Sequence, residues 1–427
     1  MKRSRRTNQR HGGGFTLLLH MLITAGISVA QARGAWPQFR GPTLDGKAAE
    51  GPALMSSWPD DGPPRLWVYD QLGEGYASAA ITGDGIYITG MEGENGFLYA
   101  LDHTGKLKWK TAYGPEWERS YRGSRTTPTV HKGKLYLMSG YARAACFDAA
   151  TGQEIWSVDT VKAFGARNLS WGISESPLVL ADKVIFSPGG PDAGVVALHP
   201  DTGKTVWVCA GINDRSGYCS PILVEHGGRR IIAQLMGATF IGMDADTGKL
   251  LWREERQPEP AHNVQAVAPV YANGQFYVTS GYGGQRGAMY RLNAAGGEVT
   301  VTRVWQDSAL DCHHGGVILH NGFIFGAADR NNRGQWVCLD SKTGAVAGKI
   351  AGVGKGSVAF AGGMLYTLSE GGQMGLVDPD PANFRLISSF KVPSGGSGPH
   401  WAHPSIADGR LYIRHGSSLF VYDLTVR

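Results

Sequence analysis

An all-β, eight-bladed β-propeller of four-stranded antiparallel blades is the fold this sequence predicts, on three observations. A unit of about 45 residues recurs along the chain, the period of a propeller blade. Two turn markers inside the unit, counted independently, each occur eight times. The segments between them alternate apolar and polar residues or are rich in Tyr, Ile and Val, and no window of comparable length shows a helical period.

The first marker is a turn between two apolar runs: Asp84-Gly85, Lys132-Gly133, Asp182-Lys183, Gly227-Gly228, Asn273-Gly274, Asn321-Gly322, Gly362-Gly363 and Asp408-Gly409. Most of these dipeptides tolerate positive φ, as a two-residue hairpin turn demands. The second marker opens the next turn at Asp102, Asp148, His199, Asp244, Asn293, Asp340, Asp378 and Asp423, 14 to 19 residues after the last residue of the first, which leaves room for two short strands. Its fullest form is Asp244-Ala245-Asp246-Thr247-Gly248-Lys249-Leu250-Leu251-Trp252. The leading aspartate can bond its own backbone, and Thr-Gly supplies the bend. The tryptophan is expected between neighbouring blades, where it buries surface for both. Repeats five to seven are degenerate: Trp305 comes late, Gly348 stands where a tryptophan is expected, and Phe390 replaces one.

The last repeat ends at Asp423-Leu424-Thr425-Val426-Arg427 without an outer strand. Arg65-Leu66-Trp67-Val68-Tyr69 carries the outer-strand pattern with no repeat before it. This N-terminal strand is expected to complete the eighth blade and close the ring.

Residues 1–32 read as an export signal, 33–64 as an N-terminal strap rich in Pro and Gly, and 65–427 as the propeller. Lys2, Arg3, Arg5, Arg6 and Arg10 form the basic end of the signal, Phe15 to Ala30 its apolar stretch, and Ala30-Gln31-Ala32 a small-x-small cleavage site. The apolar stretch is short for a membrane span. Arg5-Arg6 leaves general and twin-arginine export both open. No cysteine stands at the cleavage site, so no lipid anchor is expected. The net charge of +5 equals the five basic residues of the signal, so the exported chain is near neutral and offers no nucleic-acid surface. The reading places the protein in the periplasm or cell envelope, or outside the cell.

The five cysteines form no Cys-x-x-Cys pair. Cys209 and Cys219 flank one loop, where a disulfide is an open alternative. Asp201-Thr-Gly and Asp246-Thr-Gly mimic paired aspartic-protease motifs, but they belong to the repeat turn and lie too far apart to share a proton. Gly354-Lys355-Gly356-Ser357 lacks the earlier glycine and following helix of a phosphate loop.

The informative side chains precede the innermost strands, where each blade meets the mouth of the central channel. By register these segments carry Tyr76 and Ser78; Tyr121, Arg122 and Arg125; Trp171 and Glu175; Tyr218; His262, Asn263 and Gln265; His313 and His314; Lys355 and Ser357; and His400, Trp401 and His403. They are richer in His, Trp, Arg and Tyr than the blade bodies. Converging aromatic and cationic groups are what a ligand or peptide site needs. The candidates for ligand or cofactor binding are Arg122, Arg125, Trp171, Asn263, Gln265, His313, His314, Lys355, His400, Trp401 and His403, with Glu175 as candidate catalytic carboxylate. Trp171 and Trp401 read either as plugs of the channel mouth or as a stacking floor for a flat ligand. His400-x-x-His403 with His313-His314 is a candidate metal set, although side chains adjacent on a strand face opposite ways, so only one of His313 and His314 is expected to face the channel.

The repeat Asp-x-x-Thr-Gly-Lys-x-x-Trp resembles the quinoprotein-type propeller repeat over about residues 36–427. That repeat occurs in pyrroloquinoline-quinone-dependent alcohol dehydrogenases and in the cofactor-free propeller lipoprotein of outer-membrane-protein assembly. Trp36-Pro-Gln-Phe-Arg-Gly-Pro42, Trp171-Gly-Ile-Ser-Glu-Ser-Pro177, His313-His-Gly-Gly316, Gly354-Lys-Gly-Ser357 and His400-Trp-Ala-His-Pro404 resemble segments of exported PQQ-like propellers typical of planctomycete-type bacteria. The dehydrogenase resemblance would imply a quinone stacked on Trp171 with its carboxylates on Arg125 and Lys355, and a calcium held with the help of Glu175 and Asn263. The sequence departs from it: no two cysteines are adjacent, and no haem-attachment motif is present. The expectation is therefore a binding or scaffold module of the cell envelope, without a cofactor, that holds a protein, peptide or glycan at the channel mouth. The alternative is a quinone-dependent alcohol or polyvinyl-alcohol dehydrogenase with a reduced site. An open pocket of several hundred Å³ at that mouth favours a ligand, and a filled one favours a scaffold.

Overall fold

The computed structural model describes Met1 and residues 34–256, 264–282, 287–295 and 297–426. The export-signal reading of residues 1–32 and the candidate Asn263 lie outside the described residues. The described chain forms eight four-stranded antiparallel sheets. Seven follow sequence order, as in blade 4: Ile222–His226, Arg229–Leu235, Thr239–Asp244 and Leu250–Glu255. The eighth takes Ser405–Ala407, Arg410–His415 and Ser418–Asp423 from the end of the chain and Arg65–Tyr69 from its beginning, with Trp67 opposite Val421 and Val68 opposite Phe420. The predicted closure is therefore the observed one.

Burial follows position in the blade. The second and third strands lie between two neighbouring sheets and are almost wholly buried, whereas outer strands such as Thr205–Cys209 alternate. Lys132-Gly133, Gly227-Gly228, Asn273-Gly274, Asn321-Gly322, Gly362-Gly363 and Asp408-Gly409 have positive φ at both residues, as at Asn273 (50°) and Gly274 (76°), which is the mirror-image turn that matches strand twist. Asp84-Gly85 and Asp182-Lys183 lack that pair. A single turn of α-helix, Thr160–Phe164, follows blade 2 and is capped by Asp159.

The tryptophan repeat has a specific cause. Four of the repeat tryptophans lie on the Thr-Gly turn of the next blade and donate their indole N–H to a carbonyl there: Trp109 to Ala149 (3.2 Å), Trp156 to Pro200 (2.9 Å), Trp207 to Ala245 (3.3 Å) and Trp305 to Ser341 (3.1 Å). Trp67, from the N-terminal strand, does the same to His103 of blade 1 at 3.2 Å. The turn glycine lies under the ring: a methyl added to Gly248 would stand 2.6 Å from Trp207. The aspartate of the turn accepts from its own loop, as Asp244 does from the Thr247 amide at 2.8 Å. The degenerate blades show the converse. Trp252, in a regular repeat but facing the degenerate blade 5, finds no partner for its indole nitrogen among the described residues. Gly348 leaves room for Phe384 of blade 7, and Phe390 is covered edge-on by the strap's Trp58 at 5.5 Å.

Hydroxyls link the innermost strands around the channel. The amides of Ser78, Thr127 and Ser176 donate to the hydroxyls of Thr127, Ser176 and Ser220 at 3.0, 3.1 and 2.9 Å. This ladder stops at blade 5, where Ala268 has no hydroxyl to continue it. The strap runs across the far ends of these strands: Trp36 pairs with Ile81, Pro37 accepts from Val130, Ala48 donates to Phe360 and Met55 to Leu424. Midway, Phe39 and Arg40 enter the ring. Arg40 is 2% exposed and donates to the carbonyl of Val317 at 2.5 Å.

All five cysteines are buried free thiols, so the structure contains no Cys209–Cys219 bridge. Cys209 ends the outer strand of blade 3, while Cys219 lies on the channel side ahead of the inner strand of blade 4, and the loop between them crosses the blade's radius.

Candidate functional site

The loops that lead into the innermost strands and those that join the second and third strands share one face of the ring. There they enclose an open cavity of about 310 Å³ over the channel mouth. Its walls are largely aromatic: Tyr76, Tyr121, Trp171, Tyr218, Tyr282 and Trp401, with Phe39 of the strap reaching in from below. Trp401 stands between Tyr121 (ring centroids 4.6 Å apart) and Tyr76 (5.2 Å), and Trp171 beside Tyr218 (6.1 Å). The two tryptophans are walls of an open pocket, not plugs of a filled mouth. Two wall residues, Tyr121 (φ 50°) and Tyr218 (φ 102°), hold backbone angles that side chains rarely adopt. Such strain persists where surrounding structure fixes a side chain's direction, as at binding sites.

Arg125 lines the pocket without touching a carboxylate. Its guanidinium donates to the carbonyls of Gly123 (2.7 Å), Ser120 (3.0 Å) and Tyr121 (2.6 Å) and lies over the rings of Tyr76 and Trp117. Burial lowers it to about 10, so it remains a cation at neutral pH. Arg122, three residues earlier, turns outward instead, to Glu74 at 2.6 Å.

His313 and His314 both face the pocket, contrary to the alternation expected of a strand. The reason is local: residues 310–316 are irregular, and the strand begins only at Val317. His314 Nε2 lies 2.9 Å from Glu370 Oε1, which also accepts from the indole N–H of Trp401 at 3.0 Å. His313 Nε2 lies 2.7 Å from the Tyr282 hydroxyl, and burial, His314 and Lys355 together lower His313 to about 3. Burial works to raise Glu370, yet the hydrogen bond and charge of His314, the Trp401 indole and the Lys355 ammonium hold it at about 2. Lys355 stands behind this wall, 2.9 Å from Asp329 and 3.2 Å from Glu370.

The remaining candidates divide. His403 lines the pocket, lies 2.9 Å from the His314 carbonyl through Nε2, and is pushed down to about 3 by burial. His400 is apart, stacked on His415 at 3.7 Å, so the expected grouping of His400 and His403 with the histidine pair does not form. Gln265 is fully buried and does not line the pocket. Glu175 also stays outside it, wholly buried behind the inner strand. Its carboxyl accepts from the Ser187 amide (2.6 Å) and the Gln234 side chain (3.3 Å), and burial pushes it up to about 7. Phe39, Tyr282, Asp329 and Glu370 belong to the site but were not among the sequence candidates. Three of them, Tyr282, Asp329 and Glu370, lie in loops between second and third strands; a Gly-rich context, Gly281-Tyr282 and Glu370-Gly371-Gly372, was a signal for two of these, and Asp329 had none.

A family model described as "Outer membrane protein assembly factor BamB" matches residues 94–350, more than half of the 427-residue chain. The chain belongs to that family. It is a PQQ-like propeller. Among curated relatives, it is 28% identical over 156 residues to a quinoprotein ethanol dehydrogenase of Pseudomonas aeruginosa and 35% identical over 153 residues to the quinohemoprotein alcohol dehydrogenase ADH-IIG of Pseudomonas putida. These alignments take in 34% and 33% of this chain but only 24% and 20% of the relatives. Among solved structures, BamB from Moraxella catarrhalis superposes with a TM-score of 0.60 at 14% identity, over 85% of this chain and 98% of that one. The quinohemoprotein alcohol dehydrogenase of Comamonas testosteroni gives 0.65 at 14% identity, over 93% and 82%. At these identities the likeness is one of fold.

In this PQQ-like propeller the pocket suits a flat ring: its walls are aromatic and Arg125 offers a charge to an anionic substituent. The same residues do not fit a calcium cage, which takes six to eight oxygen ligands. Among the described residues no carboxylate lines the pocket, Glu175 is engaged elsewhere, and Glu370 already accepts from His314 and Trp401. No helix among the described residues is long and apolar enough to cross a membrane.

Proposed function

We propose that this chain is an exported propeller of the cell envelope that binds a small, flat, anionic organic ligand in its channel-mouth pocket. The ligand is either free or a ring presented by a protein, peptide or glycan partner. The observation that carries this reading is the open aromatic cavity of about 310 Å³ with Arg125 in its wall, held by carbonyls and not by an acid. A volume of that size takes one ligand of a few rings, not a folded segment. Location in the envelope rests on the signal pattern of residues 1–32 and on the name of the matching family.

The second reading is a quinone-dependent alcohol dehydrogenase, supported by the names of the curated relatives and by the shape of the pocket. The described donor set speaks against its cation, and the segment that aligns in sequence covers only 24% and 20% of those enzymes. Calorimetric titration with pyrroloquinoline quinone, with and without calcium, beside a dye-linked alcohol oxidation assay, separates the two. One-to-one binding with turnover that depends on calcium would establish the dehydrogenase. Binding indifferent to calcium and without turnover supports the ligand-binding reading. Loss of that binding in Trp401→Ala and Arg125→Ala assigns it to the pocket, and its retention in both sets the pocket aside.

A further inference from the structure

Behind the histidine-bearing wall of the pocket lies a cluster that neither reading employs. One ligand atom each from His313, His314 and Glu370 lies within 4.8 Å of the others. His314 Nε2 is 2.9 Å and His313 Nδ1 3.9 Å from Glu370 Oε1. Donors bound at about 2.0–2.2 Å around a tetrahedral ion stand roughly 3.4 Å apart, so small side-chain shifts bring these three onto one ion. Lys355 already binds two of the three: its ammonium is 3.3 Å from His313 Nδ1 and 3.2 Å from Glu370 Oε1, and 2.9 Å from Asp329 Oδ1.

We propose that His313, His314 and Glu370, with Asp329 beside them, form a site for a borderline divalent ion of the zinc class, in which Lys355 is the resident cation of the metal-free state. Two imidazoles with carboxylate suit zinc and its neighbours better than calcium or magnesium, which prefer all-oxygen shells. A supporting shell is already built. The Tyr282 hydroxyl lies 2.7 Å from His313 Nε2, on the far side of the ring from the cluster, and the Trp401 indole orients the Glu370 carboxylate at 3.0 Å. The His314 carbonyl lies 2.9 Å from His403 Nε2, which fixes the backbone that carries both histidines. Charge favours exchange. One ammonium faces two carboxylates; among the described residues Arg330 lies 4.0 Å from Asp329, and the His314 imidazole is 2.9 Å from Glu370. A divalent ion supplies the missing charge, while the lysine, on a flexible stem and partly exposed, moves to solvent. Because both histidines line the cavity, the open coordination position faces it, where the ion acts as a Lewis acid on whatever the pocket holds.

The test is titration of the chelator-treated protein with zinc chloride alone, followed by calorimetry, with thermal unfolding to verify that each variant folds. The expected result is saturable one-to-one binding that weakens at least ~10-fold in Glu370→Gln and in His314→Ala and tightens by about the same factor in Lys355→Met, where no ammonium competes. Absence of one-to-one binding to the unaltered protein overturns the proposal. So does binding that Glu370→Gln and His314→Ala leave unchanged, or that Lys355→Met weakens. Since the readout is zinc uptake without an organic ligand, its failure is a separate result from failure of the ring-binding reading.

Discussion

The ring of Phe39, from the strap, meets the ring of His403, from the last blade, with centroids 4.9 Å apart and planes inclined at 57°. Two residues more than 360 positions apart in sequence thus form the floor and lower wall of one cavity. The strap does not merely tie down the start of the chain; it sets how deep the pocket is.

Removing that floor has a measurable result. Phe39→Ala is expected to lower ring-ligand affinity by about tenfold while costing roughly 1–2 kcal/mol of stability, less than the 3–5 kcal/mol of a fully buried phenylalanine, because Phe39 is only half-buried. Denaturant unfolding and ligand titration on the same variant report the two effects separately. An unchanged affinity would show that the floor does not touch the ligand.

Arg125 and Arg122 are three residues apart and face opposite ways, which makes them a matched pair. The fluorescent anion 8-anilinonaphthalene-1-sulfonate, aromatic and singly charged, is expected to bind once per chain. Arg125→Met is expected to weaken it by about tenfold, the value of one charge-assisted contact of ~1.5 kcal/mol, and Arg122→Met to leave it within twofold. Equal effects from both would mean that general surface charge, not the pocket, attracts the probe.

The blade contacts predict a graded series at one position. Trp207→Ala, which empties the space over Gly248, is expected to cost about 3–5 kcal/mol. Trp207→Phe, which keeps much of the contact but loses the bond to the Ala245 carbonyl, is expected to cost about 1–2 kcal/mol. Gly248→Ala destabilises from the other side, since its φ of 74° and the 2.6 Å approach to the ring both oppose a methyl group. Chemical denaturation checks the order, and a Phe variant as damaging as Ala would place the energy in the hydrogen bond instead of the packing.

Glu175 predicts a pH dependence with a definite sign. Its folded-state value of about 7 lies above the ordinary 4.5, so the folded protein holds a proton that the unfolded chain releases. The stability this confers is complete below about pH 4.5 and is lost as pH rises through 7. The total is on the order of 3 kcal/mol at ~1.4 kcal/mol per pH unit. Relative to Glu175→Gln, the unaltered protein should therefore be at its most stable in mild acid and lose ground up to neutrality. Unfolding free energies of both proteins from pH 5 to 8 give the answer, and a constant difference would mean that Glu175 ionises normally.

Which parts of this molecule were legible in the sequence follows from which parts repeat. The turn pairs, the Asp-x-x-Thr-Gly segment and the tryptophans recur because each blade meets the next in the same way, so blade number, order and closure could be read from spacing. The same register led to Trp171, Arg125, Trp401, His403 and the histidine pair. It did not lead to Tyr282, Asp329 and Glu370, whose loops share the functional face but vary in length and composition from blade to blade. Phe39 was hidden for a further reason: it lies outside the repeats and comes near the pocket only through the path of the strap. The alternation rule failed at His313 and His314 because it holds for strand, and the chain there is not yet strand. Glu175 drew attention as a carboxylate in the right register, but register does not say on which side of an inner strand a side chain ends.

The closure of the eighth blade also orders events in time. Arg65–Tyr69 is among the earliest parts of the propeller to be made, and its partner Ser418–Asp423 is among the last. Until that partner appears, the early strand has an unfilled edge, and Trp67 approaches the His103 turn from a strand with no sheet behind it. Blades 1 to 7 can assemble as synthesis proceeds, but the ring cannot lock before Ser418–Asp423 has been made. Contacts of such long sequence separation form slowly and leave sticky edges exposed meanwhile. Whatever shields that edge during synthesis has to act until the last blade is in place.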